Sequence, residues 1–170
     1  MFRISWVLTD ALAVGPAPRA ERHLDRLQRE GVTAVLCLAS EEEAPLPSGI
    51  KSRFAWDRLV LPDHRSERLV RVDEISRALV LLHKLRLTGP VFVHCVAAME
   101  RSPLICLAWL IRERKLSRHQ ALDYLMQAHS GTNPLPTQLE VLDEWIKVSA
   151  ILDPDELNAD PRHHYQKMYR

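Results

Sequence analysis

The spacing of apolar residues along the first hundred positions alternates between patterns typical of strands and patterns typical of helices. Two short apolar stretches within residues 1–14 predict a hairpin of edge strands. Residues 33–38 are a continuous run of β-forming side chains, as expected for a strand buried on both faces. Residues 54–61 and 91–93 predict two further strands. The chain therefore encodes a sheet of about five strands.

Apolar residues three and four positions apart predict five helices, most of them in the second half of the chain. The predicted helices cover residues 19–30, run from about residue 73 to a Gly-Pro pair at 89–90, and begin again near residues 103, 117 and 137. Ser117–Gln120 and Thr137–Glu140 have the sequence of capping boxes. Strands that alternate with helices early, and helices that cluster late, predict a single α/β domain whose central sheet is flanked by helices.

Composition and charge narrow the possible functions. The chain has 170 residues, 46% hydrophobic and 26% charged, which favours one globular domain. A net charge of +1 gives no support for a nucleic-acid or membrane partner, and no secretory pattern is visible. Three cysteines without framework spacing favour a reducing cytoplasm. His163-His164 is a candidate metal site on paper only, and neither a metal nor a cofactor is expected.

Candidate chemistry lies in residues 91–103, where β-forming residues lead into a short loop. Arg101 follows Cys95 after five residues, and Ser102 and Pro103 suit the N-cap and first positions of a helix. A loop that enters a helix in this way points several backbone N–H groups at one spot, and the helix dipole adds positive potential there. The pattern predicts a cup for a phosphate-sized anion with a nucleophilic cysteine at its rim.

The same spacing recurs at Cys106 and Arg112 in the middle of a predicted helix, so only the strand–loop–helix setting distinguishes Cys95. In that setting, His94-Cys95-(x5)-Arg101-Ser102 resembles the signature loop of the cysteine-dependent protein tyrosine phosphatases, in their small dual-specificity branch.

Three further stretches carry the resemblance, which extends over about residues 10–150. Asp63 lies 32 residues before the cysteine, after a strand, where this family keeps its general acid. Pro136–Gln138 opens a late helix, as does a glutamine near the active site of related phosphatases, and residues 14–18 and 31–38 are similar to the N-terminal half of such domains. The resemblance implies a compact dual-specificity-phosphatase-like domain over residues 1–150, followed by a surface tail. It also implies a phosphoprotein or phosphopeptide partner and no metal or cofactor.

The resemblance implies a two-step phosphoryl transfer through a cysteinyl-phosphate. Cys95 would be the nucleophile, Arg101 would hold two phosphate oxygens, and Asp63 would protonate the leaving oxygen. Ser102 would stabilise the departing thiolate, although it also suits a plain N-cap, and Asp63 also suits a plain turn residue. The remaining predicted site residues are the loop residues Val96, Ala97, Ala98, Met99 and Glu100 as N–H donors, with His94 and Gln138 as supporting residues.

Cys37 has two interpretations. A cysteine in a buried strand is usually a packing residue. Its Leu-Cys-Leu setting also resembles a position in the tumour-suppressor phosphoinositide phosphatase, where the matching cysteine can form a disulfide with the nucleophile. A reversible Cys37–Cys95 bond under oxidation is therefore a hypothesis.

The loop departs from the family pattern at two residues. Ala98 stands where the family usually has glycine, and alanine costs about 1 kcal/mol if φ is positive there. Glu100 would repel a phosphate unless its side chain turns away. The loop also lacks the lysines of phosphoinositide phosphatases, so phosphoprotein or aryl phosphate substrates are favoured over inositol lipids. The alternatives are a weakly catalytic, phosphate-binding adaptor and a rhodanese-type sulfur-transfer domain, which leaves Asp63 unexplained.

Overall fold

The computed structural model describes residues 2–151 and contains one sheet with helices on both faces. The strands are β1 Ser5–Leu8, β2 Leu12–Gly15, β3 Ala34–Cys37, β4 Ala55–Arg58 and β5 Val91–His94. The helices are α1 Glu21–Arg29, α2 Ile50–Arg53, α3 Val72–Arg86, α4 Arg101–Arg114, α5 Arg118–Ala128 and α6 Pro136–Ile151. The predicted α/β fold with five strands is confirmed, and the short helix α2 was not predicted.

The sheet has the order β1-β2-β5-β3-β4 and is mixed. β1 and β2 form the predicted antiparallel hairpin, and the other neighbours pair in parallel. Of these two, only β1 is an edge strand, so the prediction that both are edge strands is wrong for β2, which also pairs with β5. The hairpin turn places Asp10 at a φ of 55°, a conformation that aspartate tolerates better than most residues. Gly31 has a φ of 82° directly after the C-cap of α1, in the left-handed conformation that glycine commonly adopts at this position.

Successive side chains of the buried strands point to opposite faces of the sheet, so the core is divided into two clusters, one on each face. Val91 and Val93 of β5 point into the larger cluster, which α3 to α6 cover, whereas Phe92 points into a smaller cluster with Leu24 and Leu27 of α1. All residues of β2, β3 and β5 are buried. Both faces of these strands are covered, which is why they appear in the sequence as continuous apolar runs.

The strand directions bring three loops together at one edge of the sheet. β3, β4 and β5 run in parallel, so the loops that follow them begin at the same carboxyl-terminal edge, and Cys37 lies opposite His94 in the register. Ligands bind at this edge in open α/β sheets. None of the described helices combines the length and the apolar character that a membrane span requires. The predicted tail and His163-His164 lie outside the described residues.

The predicted start of α4 is wrong by two residues. Glu100 occupies the N-cap position, so Ser102 and Pro103 are the second and third residues of the helix. Proline is still compatible there because an N–H in the first turn has no intrahelical acceptor. Leu104 makes the first such bond, to the carbonyl oxygen of Glu100 at 2.9 Å. The Ser102 hydroxyl is therefore not used as a cap.

The two predicted capping boxes have different outcomes. Ser117 and Gln120 form the box at the start of α5, because the Ser117 hydroxyl accepts from the Gln120 N–H and the Gln120 side chain accepts from the Ser117 N–H. The box predicted at Thr137–Glu140 is wrong, since α6 begins at Pro136 and the N-cap position is therefore Leu135, two residues before Thr137. Gln138 satisfies this end instead by accepting from the Leu135 N–H at 3.0 Å.

Candidate active site

Residues 95–100 connect β5 to α4 as a loop whose carbonyl groups are held from outside. The Ala17 N–H donates to the Val96 carbonyl at 3.0 Å, and the Asn133 N–H donates to the Met99 carbonyl at 2.7 Å. Among residues 2–151, the N–H groups of residues 96–100 have no acceptor. Carbonyls engaged outward and N–H groups without acceptors are the arrangement expected of an anion-binding loop.

Cys95 lies at the base of this loop. It is 2% exposed, and its Sγ is 3.2 Å from the Ser102 Oγ, so the hydroxyl faces the thiol. His94 is fully buried, and its Nδ1–H donates to the Cys95 carbonyl at 2.9 Å. Burial lowers the pKa of His94 to about 4 despite that hydrogen bond, so the imidazole is neutral near pH 7. The supporting role of His94 stays a prediction.

Ala98 has a φ of 58° and is fully buried. The left-handed conformation is the one in which alanine is less stable than glycine by about 1 kcal/mol. His129, a residue that the sequence analysis missed, holds the Ala98 carbonyl through its Nε2 at 2.8 Å and meets the Ser5 Oγ through its Nδ1 at 3.0 Å. Because a carbonyl only accepts, Nε2 carries the proton, and a neutral His129 accepts from the Ser5 hydroxyl at Nδ1.

Arg101 is 3% exposed and is held by Glu43, a second residue that the sequence analysis missed. Its two terminal nitrogens donate to the two Glu43 carboxylate oxygens, each at 3.0 Å, and Nη1 also donates to the Leu61 carbonyl at 3.2 Å. These hydrogen bonds lower the pKa of Glu43. Burial opposes the charge of Arg101, but the Glu43 carboxylate outweighs it, so the pKa of Arg101 is raised. The pair aims a fixed guanidinium fork from the start of α4.

Asp63 lies in the loop after β4 and is clamped by Arg65. Its Oδ2 accepts from the Arg65 Nε and Nη2 at 2.9 and 2.8 Å, and its Oδ1 accepts from the Arg65 N–H at 2.9 Å and the Ser66 hydroxyl at 3.2 Å. Partial burial works against ionisation of Asp63, but the hydrogen bonds and charge of Arg65 outweigh it and lower the pKa of Asp63 to about 2.

The Glu100 carboxylate binds the loop that carries Asp63. One carboxylate oxygen accepts from the His64 N–H and lies equally close to the His64 Nδ1, both at 3.2 Å. The carboxylate thereby links the two loops. Donor atoms of Asp63, His64 and Glu100 come within 4.8 Å of one another, as a small cation site would require. These atoms already have the partners described above, so the cluster is satisfied without a metal ion.

A cavity of about 400 Å³ brings the predicted nucleophile, the predicted acid and the arginine together. Cys95, Asp63 and Arg101 line it, and so do the predicted loop residues Val96, Ala97, Met99 and Glu100. The remaining lining residues are His64, Arg65, Asn133 and Leu135. The sequence thus identified seven of these lining residues, including Asp63 from a distant loop, whereas His64, Arg65, Asn133 and Leu135 were not predicted as site residues.

Five predicted residues do not line this cavity, and two of them, His94 and Ser102, instead contact Cys95 as described above. Ala98 belongs to the loop but is fully buried, and the Gln138 side chain accepts from the Leu135 N–H at the start of α6. Cys37 is fully buried in a small cluster with Ala17, and burial raises the pKa of its thiol, whereas Cys95 packs in the larger core cluster. Both thiols are free, so the Cys37–Cys95 disulfide stays a prediction.

Comparison with known families gives one match over most of the chain. The family model described as the dual specificity phosphatase catalytic domain matches residues 14–147. A phosphatidylglycerophosphate phosphatase of Arabidopsis thaliana, PTPMT2, is 25% identical over 146 residues, which cover 85% of this chain and 64% of that protein. Human dual specificity protein phosphatase 1 is 28% identical over 131 residues, which cover 72% of this chain and 32% of that protein. The chain therefore spans less than two thirds of the length of these relatives.

Solved structures give the same result for the fold. The crystal structure of Tk-PTP in the active form superposes with a TM-score of 0.73 at 26% identity, and the match covers 85% of this chain and 96% of that one.

Proposed function

The chain belongs to the dual-specificity phosphatase family, and from that premise we propose that it hydrolyses phosphate monoesters of proteins through a cysteinyl-phosphate intermediate. The observation that carries the proposal is the convergence of Cys95, Arg101 and Asp63 on one cavity, with Ser102 3.2 Å from the sulfur. A nucleophile, an oxyanion-binding fork and a proton donor are the three groups that such a reaction needs.

In the first step, the Cys95 thiolate attacks phosphorus as the bond to the ester oxygen breaks. Arg101 and the loop N–H groups hold the non-bridging oxygens, on which charge accumulates. Asp63, in its protonated form, gives its proton to the leaving oxygen, so the alcohol or phenol departs neutral. The product is a phosphocysteine and an aspartate carboxylate.

In the second step, water replaces the leaving group. The Asp63 carboxylate takes a proton from the water as its oxygen attacks phosphorus, and the sulfur–phosphorus bond breaks. The Ser102 hydroxyl donates a hydrogen bond to the thiolate that leaves. Inorganic phosphate is released, and Cys95 and protonated Asp63 are regenerated.

The cavity supports a substrate with a single phosphate. Its ionisable lining consists of two arginines, two carboxylates and a histidine, and none of the described residues that line it is a lysine. Multiply phosphorylated head groups would meet too little positive charge there. Met99, which is 48% exposed, and Leu135 add apolar surface beside the cup, which suits an aryl ring or a peptide side chain.

The plant relative supports a second candidate. It is a phosphatidylglycerophosphate phosphatase, matched over 85% of this chain, and that lipid also presents a phosphate monoester. A glycerophospholipid is therefore the competing substrate class for the same chemistry.

The test compares substrates on one enzyme preparation. Turnover of p-nitrophenyl phosphate, a phosphotyrosyl peptide, a phosphoseryl peptide and phosphatidylglycerophosphate in detergent micelles would be measured for the wild type, with Cys95→Ser as the blank. A kcat/KM at least about tenfold higher for a peptide than for the lipid, a difference of about 1.4 kcal/mol in transition-state binding, supports the protein substrate. The reverse ratio would support the lipid as the substrate instead.

Absence of turnover on every substrate in fully reduced protein would overturn the enzymatic proposal. Equilibrium binding of orthovanadate would then test the adaptor alternative, because a phosphate-binding adaptor still binds this phosphate analogue. Strain at Ala98 is the observation that favours the adaptor, and Glu100 does not add to it because its carboxylate is held by His64.

A further inference from the structure

Arg65 links the predicted acid to the predicted phosphate-binding arginine. Its Nη2 lies 2.8 Å from the Asp63 Oδ2 and 3.5 Å from the Glu43 Oε1. The same Glu43 oxygen accepts from the Arg101 Nη2 at 3.0 Å. Charges of alternating sign therefore run from Asp63 through Arg65 and Glu43 to Arg101.

This arrangement conflicts with the role of Asp63 in the first step of the proposed reaction. A general acid must hold a proton when the leaving oxygen departs. Both Asp63 oxygens instead accept hydrogen bonds from Arg65, and Oδ1 accepts a further bond from Ser66. A carboxylate that accepts from a guanidinium is held in its ionised form. In the free protein, Asp63 is therefore ionised, whereas the first step of the reaction requires it to be protonated.

We propose that Arg65 is a positioning residue that substrate displaces: it clamps Asp63 in the free protein and moves to the substrate's phosphate in the complex, which releases Asp63 to take a proton from solvent. The proposal rests on the proposed function of the same site. No bond to carbon, sulfur or phosphorus changes in this step. One guanidinium exchanges a carboxylate for a phosphate oxygen, and one proton passes from solvent hydronium to Asp63, which leaves water.

Distance permits the exchange. Because the 3.5 Å and 3.0 Å contacts share one Glu43 oxygen, the Nη2 atoms of Arg65 and Arg101 lie at most 6.5 Å apart. A phosphate with hydrogen bonds of about 2.9 Å from two of its oxygens can bridge that gap. Arg65 also lines the cavity that contains Cys95.

Exposure makes the exchange favourable. The Arg65 side chain is 68% exposed, whereas that of Arg101 is only 4% exposed. An exposed arginine can leave its partner at a lower cost than a buried one, because water solvates the guanidinium that is freed. A phosphate dianion carries two charges and forms strong bonds with guanidinium, so it can outcompete one carboxylate. Arg101 cannot move in this way, because Glu43 and the Leu61 carbonyl hold it.

The remaining charges around Asp63 predict the effect of losing the clamp. The charged or titratable groups near it are Arg65 and His64 of its own loop, Glu43 after β3, and Glu100 and Arg101 at the start of α4. With Arg65 removed, the carboxylates of Glu43 and Glu100 oppose the Arg101 charge. Asp63 would then titrate at a higher pH in the free protein.

The experiment records the pH dependence of kcat/KM and of kcat for phenyl phosphate, whose poor leaving group requires an acid. Arg65→Gln is compared with the wild type, and Arg22→Gln removes one exposed positive charge elsewhere as the matched control. Since kcat/KM reports the free enzyme and kcat reports the complex, the two profiles separate the two states. We expect Arg65→Gln to move the alkaline limb of kcat/KM upward by about 1 to 3 pH units and to leave that of kcat in place.

Three results would overturn the proposal: no movement of either limb, equal movement of both limbs, or the same shift in Arg22→Gln. Asp63→Asn must abolish the limb that moves, or the limb belongs to another group. The blank Cys95→Ser keeps this test separate from the proposed function. Activity that survives in that blank rejects the proposed reaction, whereas Cys95-dependent activity with unmoved limbs rejects only the role of Arg65.

Discussion

Replacing Glu43 with glutamine tests the ion pair between Glu43 and Arg101, which the sequence did not reveal. Glu43→Gln keeps the shape of the side chain and one carbonyl oxygen, but it removes the charge that faces Arg101. Arg101 is almost fully buried, and its other terminal contact is the neutral Leu61 carbonyl. The substitution therefore leaves a buried cation with less compensation.

The expected loss of stability follows from the two hydrogen bonds. Each is 3.0 Å long and joins two charged groups, for which a net contribution of about 1.5 kcal/mol is the lower end of the usual range. That lower value is appropriate because the Glu43 side chain is 24% exposed. Glutamine retains one hydrogen bond, from the guanidinium to its neutral carbonyl oxygen, of about 1 kcal/mol. We therefore expect Glu43→Gln to lower the free energy of unfolding by about 2 kcal/mol at pH 7.

The pH dependence gives the prediction a second, independent part. The pKa of Glu43 is lowered from its ordinary value of 4.5 in the folded protein by the Arg101 hydrogen bonds. The stability that the pair contributes is therefore fully present above that value and is lost as the pH falls through the folded-state pKa. The difference between the wild type and Glu43→Gln should shrink accordingly as the pH is lowered from 7 to 3.

Urea unfolding at both pH values measures both parts. A loss below about 0.5 kcal/mol at pH 7 would place the pair among ordinary surface ion pairs and refute the argument from burial. An equal loss at pH 3 would show that charge is not the cause. Glu41→Gln is the control, because Glu41 pairs with Arg58 in the same segment but is 61% exposed, and a change within about 0.5 kcal/mol is expected.

Three further predictions concern the loop and its supports. Ala98→Gly relieves about 1 kcal/mol of left-handed strain but removes a buried methyl group that contributes about as much stability. The free energy of unfolding should therefore change by less than about 1 kcal/mol, and kcat/KM for p-nitrophenyl phosphate should rise about twofold to fivefold. His129→Phe loses the hydrogen bonds to Ala98 and Ser5 and should cost about 2 kcal/mol in urea unfolding, against about 1 kcal/mol for Ser5→Ala. Ser102→Ala removes the hydroxyl beside Cys95 and should lower kcat about tenfold while leaving the stopped-flow burst of p-nitrophenol intact.

The base of the site could be predicted because it depends on neighbours in the sequence. The run into Cys95, the five-residue loop and the apolar periodicity of α4 lie within about twenty positions, so local propensity and burial pattern determine them. Local rules were less accurate at helix ends. They assigned Ser102 to the N-cap, whereas the loop geometry turns its hydroxyl toward the Cys95 sulfur at 3.2 Å.

The groups that hold the site in place depend on distant segments. Glu43 is 58 residues from Arg101, and His129 is 31 residues from Ala98. Nothing in an acidic loop or in a histidine after a helix indicates which distant atom it will meet. Those partners are chosen when parallel strands bring the loops of β3, β4 and β5 to one edge of the sheet and α5 packs beside α4.

The sequence by itself therefore determined the strand–loop–helix setting of the proposed nucleophile Cys95 and the α/β order of strands and helices, because each is specified by side chains close together in the chain. Tertiary structure alone decided that Glu43 orients Arg101 and that His129 binds the carbonyl of the strained residue Ala98. It also decided that Arg65 holds Asp63 as a carboxylate. The physical reason is that hydrogen bonds and ion pairs act over about 3 Å, and only packing of the whole chain decides which charged groups come that close.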